Sequence, residues 1–125
     1  MSKKFELTSE TKIKFGIKFF RIKALISFGH VKKDELGGWV EKEENLSQYG
    51  NAWVSGNASV SGYARVYGDA EVYDNAEVYG YARVYGDAEV CDNARVYGDA
   101  EVCDNARVYG YAWICDNAEI TCKRI

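Results

Sequence analysis

From Gly50 onward the apolar positions of this chain recur with a period of six. The sequence divides without insertion into twelve hexads, from GNAWVS through GDAEVY and DNARVY to DNAEIT, ending at Thr121. The third position is Ala in every hexad, Ala52 to Ala118, and the fifth is Val except at Ile114 and Ile120. Residues two apart share one face of a strand, so each Ala/Val pair points inward. The residue between them (Trp, Ser, Arg or Glu) points out. The first position is only Gly or Asp, and the second is Asn, Asp or Tyr. Gly, Asn and Asp tolerate positive φ and turn the chain tightly. Each hexad therefore predicts a short strand followed by a corner, and three corners close a triangle. The expected fold is all-β: a single-stranded triangular parallel β-helix of the left-handed hexapeptide type, with about four regular coils. A helical reading fails, because an apolar pair every six residues does not hold one face at 3.6 residues per turn. The absence of proline suits a fully paired sheet, where proline would remove a ladder donor.

The first forty-nine residues follow a different pattern. Ile13, Phe15 and Ile17 alternate with polar or small neighbours, as do Phe20, Ile22 and Ala24, on either side of Gly16. This predicts an antiparallel hairpin turning near Gly16. Residues 1–31 read as an N-terminal β-hairpin cap, 32–49 as an imperfect first coil, and 50–125 as the β-solenoid. A solenoid end exposes unpaired strand edge and apolar core, so a cap is expected there. Counting the hexad frame backwards places Leu46, Val40 and Leu36 inward, together with Lys42 and Gln48. The C-terminal end, Cys122 to Ile125, offers no comparable cap, and a homodimer through that open end is expected.

Residues eighteen apart stack on adjacent coils, about 4.8 Å away. Three outward steps then pair opposite charges: Glu89 with Arg107, Glu77 with Arg95, and Arg83 with Glu101. Asn57, Asn75 and Asn93 form an asparagine column. Asp69 lies over Asp87 and Asp74 over Asp92, which reads as solvated corners rather than a metal site. The tyrosines stack too: Tyr67 on Tyr85, Tyr79 on Tyr97, and Tyr63 on Tyr81. Trp53 and Trp113 occupy outward positions. Tyr and Trp carry large contact area at low entropic cost, which makes these eight residues the candidate protein-binding set.

Charge narrows the classes of partner. Sixteen Lys and Arg oppose nineteen Asp and Glu, net −3. That balance does not favour nucleic acid or a membrane surface. Ten basic and seven acidic residues precede Gly50, and six basic and twelve acidic residues follow from it, so the cap is basic and the array acidic. The array has about half the charge density of duplex DNA and is interrupted by arginines, so mimicry of DNA is not favoured. No apolar run approaches the ~20 residues of a membrane helix, and no apolar stretch follows the first lysines as in a secretory signal. Cys91, Cys103, Cys115 and Cys122 fit no metal-ligand spacing and three of them replace Tyr or Ser in the repeat. They read as reduced thiols of a cytosolic protein.

The run Leu36-Gly37-Gly38-Trp39-Val40-Glu41-Lys42-Glu43-Glu44-Asn45-Leu46-Ser47 is the most specific motif in the chain. With Leu7-Thr8-x-x-Thr11, Gly16, Arg21-Ile22-Lys23-Ala24-Leu25 and the Gly-Asn-Ala hexads that follow, it resembles the YdcK-type β-solenoids of bacteria and their phages. The resemblance implies a solenoid behind a β-hairpin cap, often encoded in prophages, with no settled activity. Where the family typically has Asp, this chain has His30.

Three functions fit the sequence. The favoured one is a non-enzymatic module that docks a protein through its aromatic columns or its basic cap. A phage or prophage source, as the resemblance implies, would make it an inhibitor of a host defence enzyme, anti-CRISPR activity included. The second is a hexapeptide acyltransferase-like enzyme, since the array shares that superfamily's spacing of an aliphatic and a small residue (Val54 and Ala58, Val60 and Ala64). Those enzymes use a coil histidine as general base, and no histidine lies in any hexad here. No loop interrupts the hexads to hold a cofactor. No catalytic residue, cofactor or metal is therefore expected. The third is a structural spacer in a phage or cell-surface assembly.

Overall fold

A computed structural model describes residues 3–121. The protein is a three-sided parallel β-solenoid closed at its N-terminal end by an antiparallel hairpin. Strand β1 (Phe5–Lys14) pairs with β2 (Ile17–Ala24) across the turn Phe15-Gly16, where both residues have positive φ, as a two-residue hairpin turn with native twist requires. Strand β3 (Leu36–Val40) pairs antiparallel with β2 on one side and parallel with Ser59–Val60 on the other. It thus joins the cap to the solenoid within one continuous sheet.

Twelve two-residue strands follow, one per hexad, and stack into three faces. Face 1 holds Trp53–Val54, Glu71–Val72, Glu89–Val90 and Arg107–Val108. Face 2 holds Ser59–Val60, Glu77–Val78, Arg95–Val96 and Trp113–Ile114. Face 3 holds Arg65–Val66, Arg83–Val84, Glu101–Val102 and Glu119–Ile120. The eighteen-residue register is kept throughout these stacks. Every hexad's first residue, whether Gly or Asp, has positive φ, from Gly50 (φ 71) to Asp116 (φ 59), which is what turns each corner. The inward Ala and Val side chains from Ala52 to Val102 are buried and form one continuous core. Phe5, Ile22 and Ala24 of the hairpin extend that core over its end.

The first coil departs from the frame. Val40 lies beside Val60 and Leu46 beside Val66, both offsets of twenty residues. Ser47 still follows the shifted register, donating its N–H to the Val66 carbonyl, whereas Asn51 follows the regular one, donating to that of Gly68. The two extra residues are Gln48 and Tyr49. Carried back through this insertion, the hexad frame slips by two, which corrects three of the expected inward positions. Leu36 is exposed. Lys42 is half-buried, with its ammonium over the Tyr63 ring. Gln48 lies at the corner, where its side-chain oxygen accepts the N–H groups of Lys4 and Phe5 and its amide donates to the Phe5 carbonyl. Leu46 and Val40 are buried as expected.

The hairpin tip folds back over face 2. Lys14 Nζ stands 2.9 Å from the Glu77 carboxylate, and Lys12 lies over the Trp39 ring. Of the three charge pairs expected along the columns, Glu89–Arg107 forms at 3.3 Å. Glu77 is taken by Lys14 instead, and Glu101 accepts the Tyr85 hydroxyl at 2.7 Å.

Candidate protein-docking surface

The corner residues present the tyrosines. Tyr79 and Tyr81 flank Gly80 at the corner between faces 2 and 3, so one corner carries two tyrosine columns. Tyr79 and Tyr97 stack at 5.0 Å with planes 2° apart, and Tyr63 and Tyr81 at 5.0 Å with planes 7° apart. Tyr67 and Tyr85 stack at 4.9 Å on the corner between faces 3 and 1. The eighteen-residue register brings these rings face to face at the spacing of adjacent strands. They form rigid ribs with little rotamer freedom left to lose on binding.

The surroundings of five tyrosines favour the neutral phenol. Loss of hydration raises Tyr67 and Tyr79 above the usual tyrosine range. Tyr85 is raised further by its bond to Glu101, and Tyr73 by its 2.7 Å bond to Glu89. Tyr97 is raised by its contact with the Cys115 thiol on the next coil.

Two of the eight candidate residues behave differently from one another. Trp113 is 64% exposed on face 2, with the Arg95 guanidinium 5.6 Å from its ring. Trp53 occupies the equivalent outward position on face 1 but is 4% exposed. The cap covers it: Phe5 and Phe28 meet its indole edge-on at 6.4 and 5.3 Å. Trp53 is thus a residue of the cap interface and not of an open docking surface.

Sequence reasoning missed several exposed aromatic and aliphatic residues, four of which surround face 2. Tyr109 and Tyr111 flank Gly110 at the corner just before Trp113, and Ile13 and Phe15 sit at the hairpin tip above face 2. Tyr111 was detectable, because it replaces asparagine at the end of the Asn57, Asn75, Asn93 column. Ile13 and Phe15 were not, because strand alternation alone does not tell a buried face from an exposed one. Together with Tyr79, Tyr97 and Trp113 they give the molecule an aromatic surface around face 2.

Face 3 carries an open trough of about 1070 Å³ between the two tyrosine ribs, lined by Lys42, Arg65 and Arg83 and by the first-coil carboxylates Glu43 and Glu44. A second one, of about 490 Å³, runs along the asparagine column. Beside it Asp74, Cys91 and Asp92 come within 4.8 Å of one another. Their carboxylates are engaged by backbone: Asp74 accepts the Asp92 N–H and Asp92 the Gly110 N–H. Burial raises the Cys91 thiol above its usual range.

Cys91, Cys103 and Cys115 lie on three different corners and are free thiols. Cys122 and the C-terminal end expected to dimerise lie outside the described residues. No helix among the described residues is long and apolar enough to cross a membrane. Comparison with known protein families matches residues 100–116 to the YdcK Beta solenoid repeat. No curated protein matches the chain.

Proposed function

We propose that this chain, whose repeat is of the YdcK β-solenoid type, is a non-enzymatic module that binds a protein through the aromatic surface around face 2. The observation that carries the reading is the stacked pair Tyr79–Tyr97 continuing toward exposed Trp113, beside an exposed hairpin tip. Stacked rings on a rigid coil offer contact area already held in its bound arrangement, which lowers the entropic cost of docking. The interior supports the same reading. Ala and Val fill it from wall to wall, so work is left to the outer surface. His30, the single histidine, is exposed in a turn of the cap and lies in no coil.

The resemblance to solenoids carried by prophages supports a phage or prophage origin and a role against a host defence enzyme, anti-CRISPR inhibition included. A bacterial cytoplasmic setting accords with the free thiols. The test is affinity capture from a bacterial lysate by the wild-type protein and by the double variant Tyr79→Ser, Tyr97→Ser. The expected result is a partner held by the wild type and lost by a variant that keeps its circular dichroism spectrum. Equal capture by both overturns the assignment to this surface. Calorimetry with acetyl-CoA tests the non-enzymatic part, and micromolar binding would overturn it.

A further inference from the structure

Among the described residues, no side chain of the hairpin lies on face 3, and the first-coil residues Lys42, Glu43 and Glu44 border only its N-terminal end. The hairpin tip is tied to face 2 through Lys14 and Glu77, and the cap aromatics cover Trp53 on face 1. Along face 3 the outward residues of successive coils are Arg65, Arg83, Glu101 and Glu119. Two positive charges are followed by two negative ones. Arg65 stacks directly on Arg83 and Glu101 on Glu119, at the spacing where like charges in neighbouring strands destabilise a sheet. Among the described residues, no carboxylate lies within ion-pair distance of Arg65 or Arg83. Two of the three steps along the stripe set like charges side by side, and a second, reversed stripe laid on it brings an opposite charge against each of them.

Relief has the same polarity. In the hexads of this face the second and sixth positions hold tyrosine in the first two coils and smaller residues in the last two, with the Tyr85 hydroxyl reaching down to the Glu101 carboxylate. One edge reads Tyr63, Tyr81, Asp99, Asn117, and the other Tyr67, Tyr85, Cys103, Thr121. A two-fold axis along the strand direction, passing between the Arg83 and Glu101 levels, reverses both sequences at once. It sets Arg65 opposite the second copy's Glu119 and Arg83 opposite its Glu101, each twice. It also lays each copy's tyrosine ribs over the other's half of smaller residues. Charge and shape are therefore complementary under one symmetry operation, as an isologous interface requires.

We propose that face 3 is the interface of an antiparallel homodimer. The occupant of the open trough beside Arg65 and Arg83 is the acidic half of a second copy. The proposal is independent of the partner surface on face 2, which the dimer leaves free. Four coils at ~4.8 Å and a strand with its corners at ~3.3 Å per residue give a face of roughly 19 by 18 Å. This lies well under the ~800 Å² per partner of a standard interface, so a weak, transient dimer is expected.

Sedimentation velocity of the purified protein, from about 1 to about 200 μM at low and physiological salt, tests it. Wild-type protein should shift from monomer to dimer, more strongly at low salt. Arg83→Glu places like charges at two symmetry-related contacts and should weaken association at least about tenfold. Adding Glu101→Arg to that variant recreates both pairs with reversed sign and should restore the dimer. Thermal melts of the three proteins confirm that each is folded. A wild-type monomer at every concentration overturns the proposal. So does a dimer indifferent to Arg83→Glu, or a charge-reversed double variant that stays monomeric while folded.

Discussion

The indole of Trp53 lies against the backbone of Gly37 with no room for a methyl group between them. A Cβ at position 37 would stand 2.6 Å from Trp53 Cζ2, 2.6 Å from the Val54 carbonyl oxygen and 2.7 Å from an Ile22 side-chain carbon. Two of these neighbours belong to the solenoid and one to the cap, so none yields without moving the joint. Gly37→Ala is expected to destabilise the protein by about 2–3 kcal/mol, as overpacking of a close contact does. Urea denaturation followed by tryptophan fluorescence measures it.

The corner glycines are not equivalent, although all have positive φ. A Cβ at Gly50 would meet the Gly68 carbonyl oxygen at 2.5 Å, whereas one at Gly110 meets nothing within 4 Å. Asp already occupies the left-handed conformation at the same corner in the coils below Gly110, at Asp74 and Asp92. Gly110→Asp should therefore change stability by less than about 1 kcal/mol. Gly50→Asp should cost several times as much. A pair of thermal melts distinguishes the two, and equal losses would contradict the contact argument.

Asn45 is the buried polar residue of the first coil. Its amide donates to the Gly62 and Ala64 carbonyls at 3.2 and 2.9 Å, and its oxygen accepts the Lys42 N–H at 2.9 Å. Asn45→Ala strands these groups and should cost about 2–3 kcal/mol. Asn45→Asp should be worse at neutral pH, because a carboxylate has no hydrogen to give to two buried carbonyls. Chemical denaturation of both variants at pH 7 gives the order.

Lys4 gives stability a characteristic pH dependence. Its ammonium bonds the Ala52 carbonyl at 2.8 Å and lies 4.7 Å from the centre of the Phe28 ring. Loss of hydration lowers its pKa from 10.5 to about 8, opposed by the charge of Asp69. Below the folded value the lysine is charged in both states and its burial penalty is fully present. Between the folded and unfolded values the unfolded chain binds more proton, so stability rises with pH. The wild type should gain stability relative to Lys4→Met as pH increases from about 7.5 to about 9.5. Denaturation midpoints of the two proteins across that window measure the difference.

The solenoid was legible because its signal is repeated twelve times. Ala52 and Val54 alone would not separate strand from helix, but the Gly or Asp that recurs before every such pair does. The tyrosine stacks followed from the eighteen-residue register without further information. Leu36, Lys42 and Gln48 were misplaced because Gln48 and Tyr49 are added at a corner, where no inward residue marks the count. Trp53 was assigned to open surface because its position in the hexad is outward. What removes it from solvent is Phe5 and Phe28, nearly fifty and twenty-five residues earlier, brought together by tertiary packing. Charge pairs were the least legible. Glu77 found Lys14 across the hairpin rather than Arg95 in its own column, since an exposed carboxylate takes whichever cation the fold brings closest.

Residues 86–97 and 98–109 are the same twelve amino acids in the same order, yet Glu89 sits on face 1 bound to Tyr73 and Arg107 while Glu101 sits on face 3 bound to Tyr85. The interior accepts either copy because all three walls present it with the same alanine and valine. Gaining or losing one hexad would leave that packing intact and rotate everything downstream by a third of a revolution about the long axis. The lineage of such a chain can therefore reshuffle which side chains share a wall by slippage of its coding repeats, with the buried lattice unchanged.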